Sequence, residues 1–147
     1  DRSATENYKN SSLKYYGDFS KIRSLIIPGS FFISDMATSY YISAALPLFP
    51  TIVHPHHSIG EERYVEFLSV LCSHSVGNDL QNKYSVILEE KVYPLPKYVI
   101  VIKDSENRNV NKHCTNLNHQ VLLNNIELVA NPLFKGKFTS VYSLKEI

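Results

Sequence analysis

The stretch Lys97–Asn111, KYVIVIKDSENRNVN, decides the predicted fold class. It opens with an apolar run whose side chains would alternate between the two faces of a strand. One face would carry Tyr98, Ile100 and Ile102, and the other would carry Val99 and Val101. A strand with one solvated face alternates with polar residues, so this strand is expected to be buried on both faces. The pattern therefore predicts a central strand.

The composition limits the possible classes of protein. The chain has 147 residues, of which 44% are hydrophobic and 20% charged, and this is typical of one globular domain. Its formal charge of +1 disfavours a duplex-binding module, because such modules are strongly basic. The longest mostly apolar stretch, Tyr40–Val53, contains two prolines and is too short to span a bilayer. We expect no membrane partner.

The chain divides into a tail and one domain. Residues Asp1–Ser12 are polar and without periodicity, and they predict a flexible tail before a single domain over 13–147. Ile22–Pro28 and Ser30–Ser34 suggest two short strands around the Pro28-Gly29 turn. Asp35–Ala45 fits a helix or a strand. Leu46–Val53, with its two prolines, predicts an extended segment at a sheet edge.

One helix has clear signals in the sequence. Ser58 and Glu61 have the spacing of a capping box, in which the two side chains bond free backbone amides at a helix start. Apolar residues recur at helical spacing through Cys72, and Ser75–Asn78 predicts the helix end. This segment is therefore predicted to be helical.

The rest of the chain is predicted to contain mainly strands. Lys83–Leu88 alternates and predicts a strand, and Phe134–Leu144 predicts another. Val110–Leu117 suggests a short helix, whereas Gln120–Leu123 and Ile126–Ala130 are short apolar runs. The predicted class is α+β with β dominant.

The order of these signals resembles the staphylococcal-nuclease-like half of the extended Tudor domain family. Three segments carry the resemblance: Arg23–Ile33 as an opening hairpin, Ala44–Pro55 followed by Glu61–Leu71 as a crossover into a helix, and Tyr98–Asn111 as a strand, Asp-containing turn and Val-Asn signature. The resemblance implies a small OB-like (oligonucleotide/oligosaccharide-binding) barrel with one well-defined helix. Between Ile33 and Ala44 the chain has no room for the Tudor core of that family.

The resemblance also implies a function. A nuclease-like module without paired acidic residues and arginines at the calcium and phosphate positions is expected to be non-catalytic. In this family such modules are scaffolds in RNA-silencing (PIWI/piRNA-type) assemblies, in the cytoplasm or in perinuclear granules. The expected partner is another protein of that assembly.

No metal, cofactor or catalytic group is predicted. His54, His56, His57, Cys72 and His74 form the nearest approach to a zinc cluster, but a proline splits the group and no C-x-x-C knuckle is present. Cys114 beside His113 is not expected to form a catalytic dyad, because neighbouring side chains point in different directions. Neither a nucleophile elbow nor a Gly-rich phosphate loop is present.

The predicted partner-binding surface is the apolar edge between residues 40 and 50. Two prolines would keep this segment out of a sheet interior, and tyrosine is common at protein interfaces. The residues assigned to this surface are Tyr40, Tyr41, Leu46, Leu48 and Phe49.

An alternative function is binding of single-stranded RNA. OB barrels bind single strands in basic grooves with aromatic stacking platforms. The possible RNA contacts are Lys97, Lys103, Arg108, Lys112 and Tyr98. Nearby acidic residues would balance these charges, which favours an ordinary solvated surface over a groove.

A second alternative is a secreted or viral β-rich binding protein with a Cys72–Cys114 bridge. The sequence leaves open whether its two cysteines are bonded, although an intracellular protein would keep both reduced. A count of free thiols in the denatured protein separates the two possibilities.

Overall fold

The computed structural model describes residues 16–52, 61–74, 76–89, 95–103 and 117–146. The predicted tail 1–12 and most of the predicted helix Val110–Leu117 lie outside these residues. The described helices are α1 (Tyr16–Arg23), α2 (Met36–Ala45), α3 (Glu62–Leu71), α4 (Asp79–Glu89) and α5 (His119–Ile126). The described strands are β1 (Phe31–Ile33), β2 (Phe49–Pro50), β3 (Pro96–Ile102), β4 (Ala130–Lys135) and β5 (Thr139–Leu144).

The five strands form one open, mixed sheet in the order β2-β1-β3-β5-β4. Both β2 and β3 pair with β1 in parallel, and β5 pairs antiparallel with β3 and with β4. The strand predicted to be central is the central strand, and every residue from Tyr98 to Ile102 is buried. This prediction is confirmed.

The alternating side chains of β3 divide the core into two clusters. Tyr98, Ile100 and Ile102 pack with apolar residues of α1 and α2. Val99 and Val101 pack with apolar residues of α3, α4 and α5. Because both faces of the strand are apolar, both faces of the sheet need a helical cover. The described residues therefore form an α/β/α arrangement with the sheet in the middle.

The structure bears out the α+β class but not its β dominance or the OB-like barrel with one well-defined helix, since the described residues form five helices beside the five strands. The sheet is open, with β2 and β4 as its two edges, and three of its strands are parallel. Parallel strands need crossover connections, and here helices provide them on both faces. The predicted extended edge segment is confirmed over its described part, since β2 is an edge strand.

Two segments expected to be strands are not strands. Ile22–Pro28 begins with the last two residues of α1 and continues as a turn-rich loop, whereas Lys83–Leu88 lies within α4. In α4, Leu80, Tyr84 and Ile87 recur at the three- and four-residue spacing of a buried helical face. The local alternation of Tyr84, Val86 and Leu88 suggested a strand, but the longer helical periodicity decides the fold of this segment.

The helix with the clearest sequence signals is confirmed over its described part. The segment after Ser58 forms α3, which buries Tyr64, Phe67, Leu68 and Leu71. Ser58 lies outside the described residues, and the N-cap residue Glu61 makes no side-chain capping hydrogen bond. The ambiguous segment after Asp35 is a helix, α2.

Cys72, at the end of α3, is disulfide-bonded. The only other cysteine of the sequence is Cys114, which lies outside the described residues, so a bridge within the chain can join only these two. The bond agrees with the disulfide alternative and not with two reduced thiols. No helix in the described part of the chain is long and apolar enough to cross a membrane.

A buried carboxylate fastens α1 to the hairpin between β4 and β5. Asp18 accepts hydrogen bonds from the backbone amides of Phe138 (2.8 Å) and Thr139 (2.9 Å) through Oδ2. The hairpin residue Gly136 lies so close that an added Cβ would be 2.6 Å from Cγ and Oδ1 of Asp18. It would also lie 2.5 Å from Cε1 of Phe134, so this position requires glycine.

We expect Gly136→Ala to lower the free energy of unfolding by about 1–3 kcal/mol, because the added methyl group would separate Asp18 from the hairpin. Chemical denaturation measures the change. Gly17→Ala is the matched control, since a Cβ at Gly17 meets nothing within 4 Å and alanine favours the helix. A Gly136→Ala protein as stable as the Gly17→Ala protein would contradict this close approach.

Candidate functional site

The predicted partner-binding residues do not form one exposed surface. Tyr40 is 72% exposed and Phe49 is 55% exposed, whereas Tyr41 is half-buried. Leu46 and Leu48 are buried in the cluster beneath α1 and α2. These two leucines were expected to be exposed because Pro47 and Pro50 would keep their segment out of a sheet interior. The short connection between α2 and β2 instead turns both of them inward.

The structure does place an apolar surface at the β2 edge of the sheet. The amide of Gly29 donates to the carbonyl of Pro47 (2.8 Å), and the amide of Phe49 donates to that of Ser30 (3.0 Å). These bonds bring the turn after α1 beside β2. We call the result the edge surface, and it consists of Ile27, Pro28, Phe31, Pro47 and Phe49. Ile27 is 52% exposed, and the Phe31 and Phe49 ring centroids lie 5.5 Å apart.

A partner could contact the side chains of the edge surface, but few of its backbone hydrogen-bonding groups are free. The amide of Thr51 already donates to the carbonyl of Phe32 in β1, and the amide of Phe49 donates to that of Ser30, directly before β1, at 3.0 Å each. Pro50, between them, has no amide hydrogen that could pair with an added strand. The amide of Leu48 donates to the carbonyl of Leu46 at 2.8 Å. A partner would therefore bind through apolar contact and not by extending the sheet.

The residues predicted to contact RNA are not assembled into a groove among the described residues. Lys97 and Lys103 lie at opposite ends of β3, about 20 Å apart at the usual rise per residue. Tyr98 is buried, and its hydroxyl accepts a hydrogen bond from the amide of Ile27 (3.0 Å), so its ring cannot stack on a base. Arg108 and Lys112 lie outside the described residues.

The carboxyl ends of the parallel strands β1 and β3 lie at the same end of the sheet. The chain leaves β1 in one direction towards β2, then returns past β1 to β3, and open sheets commonly bind ligands at such a switch point. At this end Asp35, the second residue after β1, is buried. Its Oδ1 accepts from the amide of Thr38 (2.8 Å) and its Oδ2 from the Thr38 hydroxyl (2.9 Å). Both oxygens serve the start of α2, so Asp35 has a structural role.

His119 lies near the carboxyl end of β3, at the first position of α5. Burial lowers its pKa below the ordinary 6.5, and the positive charge of Lys103 lowers the pKa further. The imidazole is therefore neutral at physiological pH, and protonation on acidification opposes folding.

The described residues contain no group of three or more His, Cys, Asp or Glu side chains that could hold a metal. The histidines at positions 54, 56 and 57 lie outside them. Cys72 is consumed by its disulfide, so it is not available as a thiolate ligand to zinc. His74 is exposed.

A cavity of about 790 Å³ lies at the opposite end of the sheet, where β3 begins and β5 ends. Its apolar lining comes from Leu88 on α4, from Pro96 and from Leu144 on β5. Its rim carries two lysines and two glutamates: Lys97, Lys145, Glu89 and Glu146. A volume in this range suits a small ligand.

Tyr84 of α4 closes one side of this cavity. Its hydroxyl donates to the carbonyl of Lys145 (2.5 Å), which connects α4 to the end of β5. Burial raises the pKa of its phenol, and the nearby Glu146 carboxylate raises it further. Tyr84 is therefore a neutral phenol that supports the lining and does not act as a base.

The comparisons with known proteins identify no relative. Neither a family model, nor a curated protein, nor a solved structure matches the chain. The resemblance to the extended Tudor family stays a prediction.

The sequence-based prediction missed the cavity and the Asp18 contact. The roles of Leu88 and Glu89 in the cavity were missed because their segment was predicted to be a strand. A strand would not place them over the end of the sheet, as α4 does. The helical spacing of Leu80, Tyr84 and Ile87 was the signal that could have located them. The contact between Asp18 and the β4–β5 hairpin had no signal in the sequence beyond an acidic residue near the start of a helix.

We expect His119 to make the protein less stable as the pH falls below about 6.5, because the unfolded chain binds the proton more readily than the folded one. The free energy of unfolding should fall more between about pH 7.5 and pH 5 in the parent protein than in His119→Gln. Denaturant unfolding at both pH values measures this difference. His74→Gln, at an exposed position, is the control and should resemble the parent. A His119→Gln protein with the parent's full pH dependence would contradict the assignment.

Proposed function

We propose that this protein is a non-enzymatic binding module that docks a partner protein on the edge surface. The observation that carries the proposal is the exposure of Phe49 and Ile27 on the edge surface, both more than half exposed, with the Phe31 ring beside that of Phe49. Small proteins expose single apolar residues routinely, but contiguous exposed apolar patches commonly mark sites of association.

The position of the edge surface supports a protein partner over an added strand. The β1–β2 hydrogen bonds and Pro50 leave few free backbone groups, so the free energy of association would come from buried apolar area. A surface with two aromatic rings and two prolines suits the apolar face of a helix or a loop of the partner. Tyr40, on the exposed side of α2, is a further candidate contact.

The disulfide at Cys72 supports a function in an oxidising compartment. Structural disulfides persist in secreted and surface proteins and are rare in the cytosol. This favours the alternative of a secreted or viral binding protein. The partner implied by the family resemblance, a component of an RNA-silencing assembly, would meet the chain in a reducing compartment and remains the competing proposal.

Three glutamate variants test the docking surface. Phe49→Glu and Ile27→Glu put a charge on the edge surface, and we expect them to weaken the partner complex at least tenfold, since a desolvated carboxylate opposes apolar contact. Crosslinking of the purified, labelled chain to proteins of its native compartment, quantified with its crosslink positions, measures the complex. Leu128→Glu is the control, because Leu128 is 43% exposed beside β4, the other edge of the sheet.

Crosslinks that map to the edge surface and disappear in both variants would support the proposal. Complexes that survive Phe49→Glu and Ile27→Glu as well as they survive Leu128→Glu would overturn it. Leu48→Glu is unsuitable as a test, because Leu48 is buried and a carboxylate there would unfold the core.

A further inference from the structure

The cavity at the start of β3 combines an apolar lining with charges of both signs. Tyr84 and Leu88 lie one helical turn apart and direct one face of α4 into it, and Pro96 and Leu144 complete the lining from the sheet. Leu95 is 50% exposed at the same place. A ligand that removes water from this lining would gain free energy from apolar contact.

The charges of the rim balance each other. Lys97 and Glu89 are exposed, and neither has an ion-pair partner among the described residues. The Lys145 ammonium donates a hydrogen bond to the carbonyl of Glu127 (3.3 Å). The Glu146 carboxylate lies close enough to Tyr84 to raise the pKa of its phenol. A ligand with one sign of charge would satisfy two of these groups and face repulsion from the other two. A ligand with a positive and a negative end can be complementary to both.

We propose that this cavity binds a short apolar peptide with free termini. The terminal carboxylate would pair with Lys97 or Lys145, and the terminal ammonium with Glu89 or Glu146. The apolar side chains of the peptide would lie against Leu88, Leu95 and Leu144. The volume of about 790 Å³ accommodates a peptide of a few residues.

This site is separate from the edge surface. The cavity is lined by α4 and the β3–β5 pair, whereas the edge surface belongs to β1, β2 and the turn after α1. Peptide binding and partner docking can therefore succeed or fail independently, and Phe49→Glu should bind peptide as the parent does.

Titration calorimetry with the tripeptide Ala-Leu-Leu tests the proposal. We expect saturable binding to the parent, and about tenfold weaker binding to Lys97→Gln and to Glu89→Gln, since each variant removes one charge-assisted contact. Blocking the peptide with an N-acetyl and a C-amide group should weaken binding by at least the same factor. Lys21→Gln is the control, because Lys21 is exposed on α1, which covers the other face of the sheet.

Lys97 and Glu89 are exposed, so their variants should fold, and their denaturation curves verify this. The proposal is overturned by the absence of binding at millimolar peptide, by equal affinity for the blocked peptide, or by unchanged affinity in both variants. Binding of acetate or of a fatty acid in place of the peptide, with the same dependence on Lys97 only, would assign the cavity to a simple anion and overturn the peptide proposal.

Discussion

The burial of β3 on both faces constrains the rest of this structure. Five consecutive residues of the strand are excluded from water, and its neighbours β1 and β5 occupy both of its hydrogen-bonding edges. A strand in this position cannot lie in a two-layer fold, because one of its apolar faces would remain exposed to water. Helices on both sides follow from this requirement. The parallel pairing to β1 follows from the crossover through α3 and α4.

The two candidate surfaces are consequences of how this sheet ends. At the β2 border, a proline-containing strand closes the backbone edge and leaves aromatic and aliphatic side chains exposed. At the start of β3, α4 covers the sheet end incompletely, and the cavity fills the gap between them. The carboxyl ends of β1 and β3 offer the usual place for a ligand, but there the Asp35 carboxylate caps α2.

The sequence predicted the elements whose patterns are unambiguous over their whole length. The double-sided apolar run of β3 and the helical periodicity of α3 are examples, and the prolines correctly indicated an edge at β2. The barrel was not confirmed, because a short alternating pattern such as Lys83–Leu88 also fits one face of a helix. Periodicity within one segment cannot report which strands pair, or in which direction. The cavity depends on that pairing, so it could not be predicted from the sequence.

Native-state hydrogen exchange tests the central position of β3 most directly. The amides of Val99, Ile100 and Val101 should exchange only through global unfolding, with the free energy that denaturant unfolding gives. The amides of Phe49 and Thr51, at the sheet edge, should exchange at a lower free energy. If Val99–Val101 exchange through local opening, at a free energy well below that of global unfolding, the account of β3 as the doubly buried centre of the fold is contradicted.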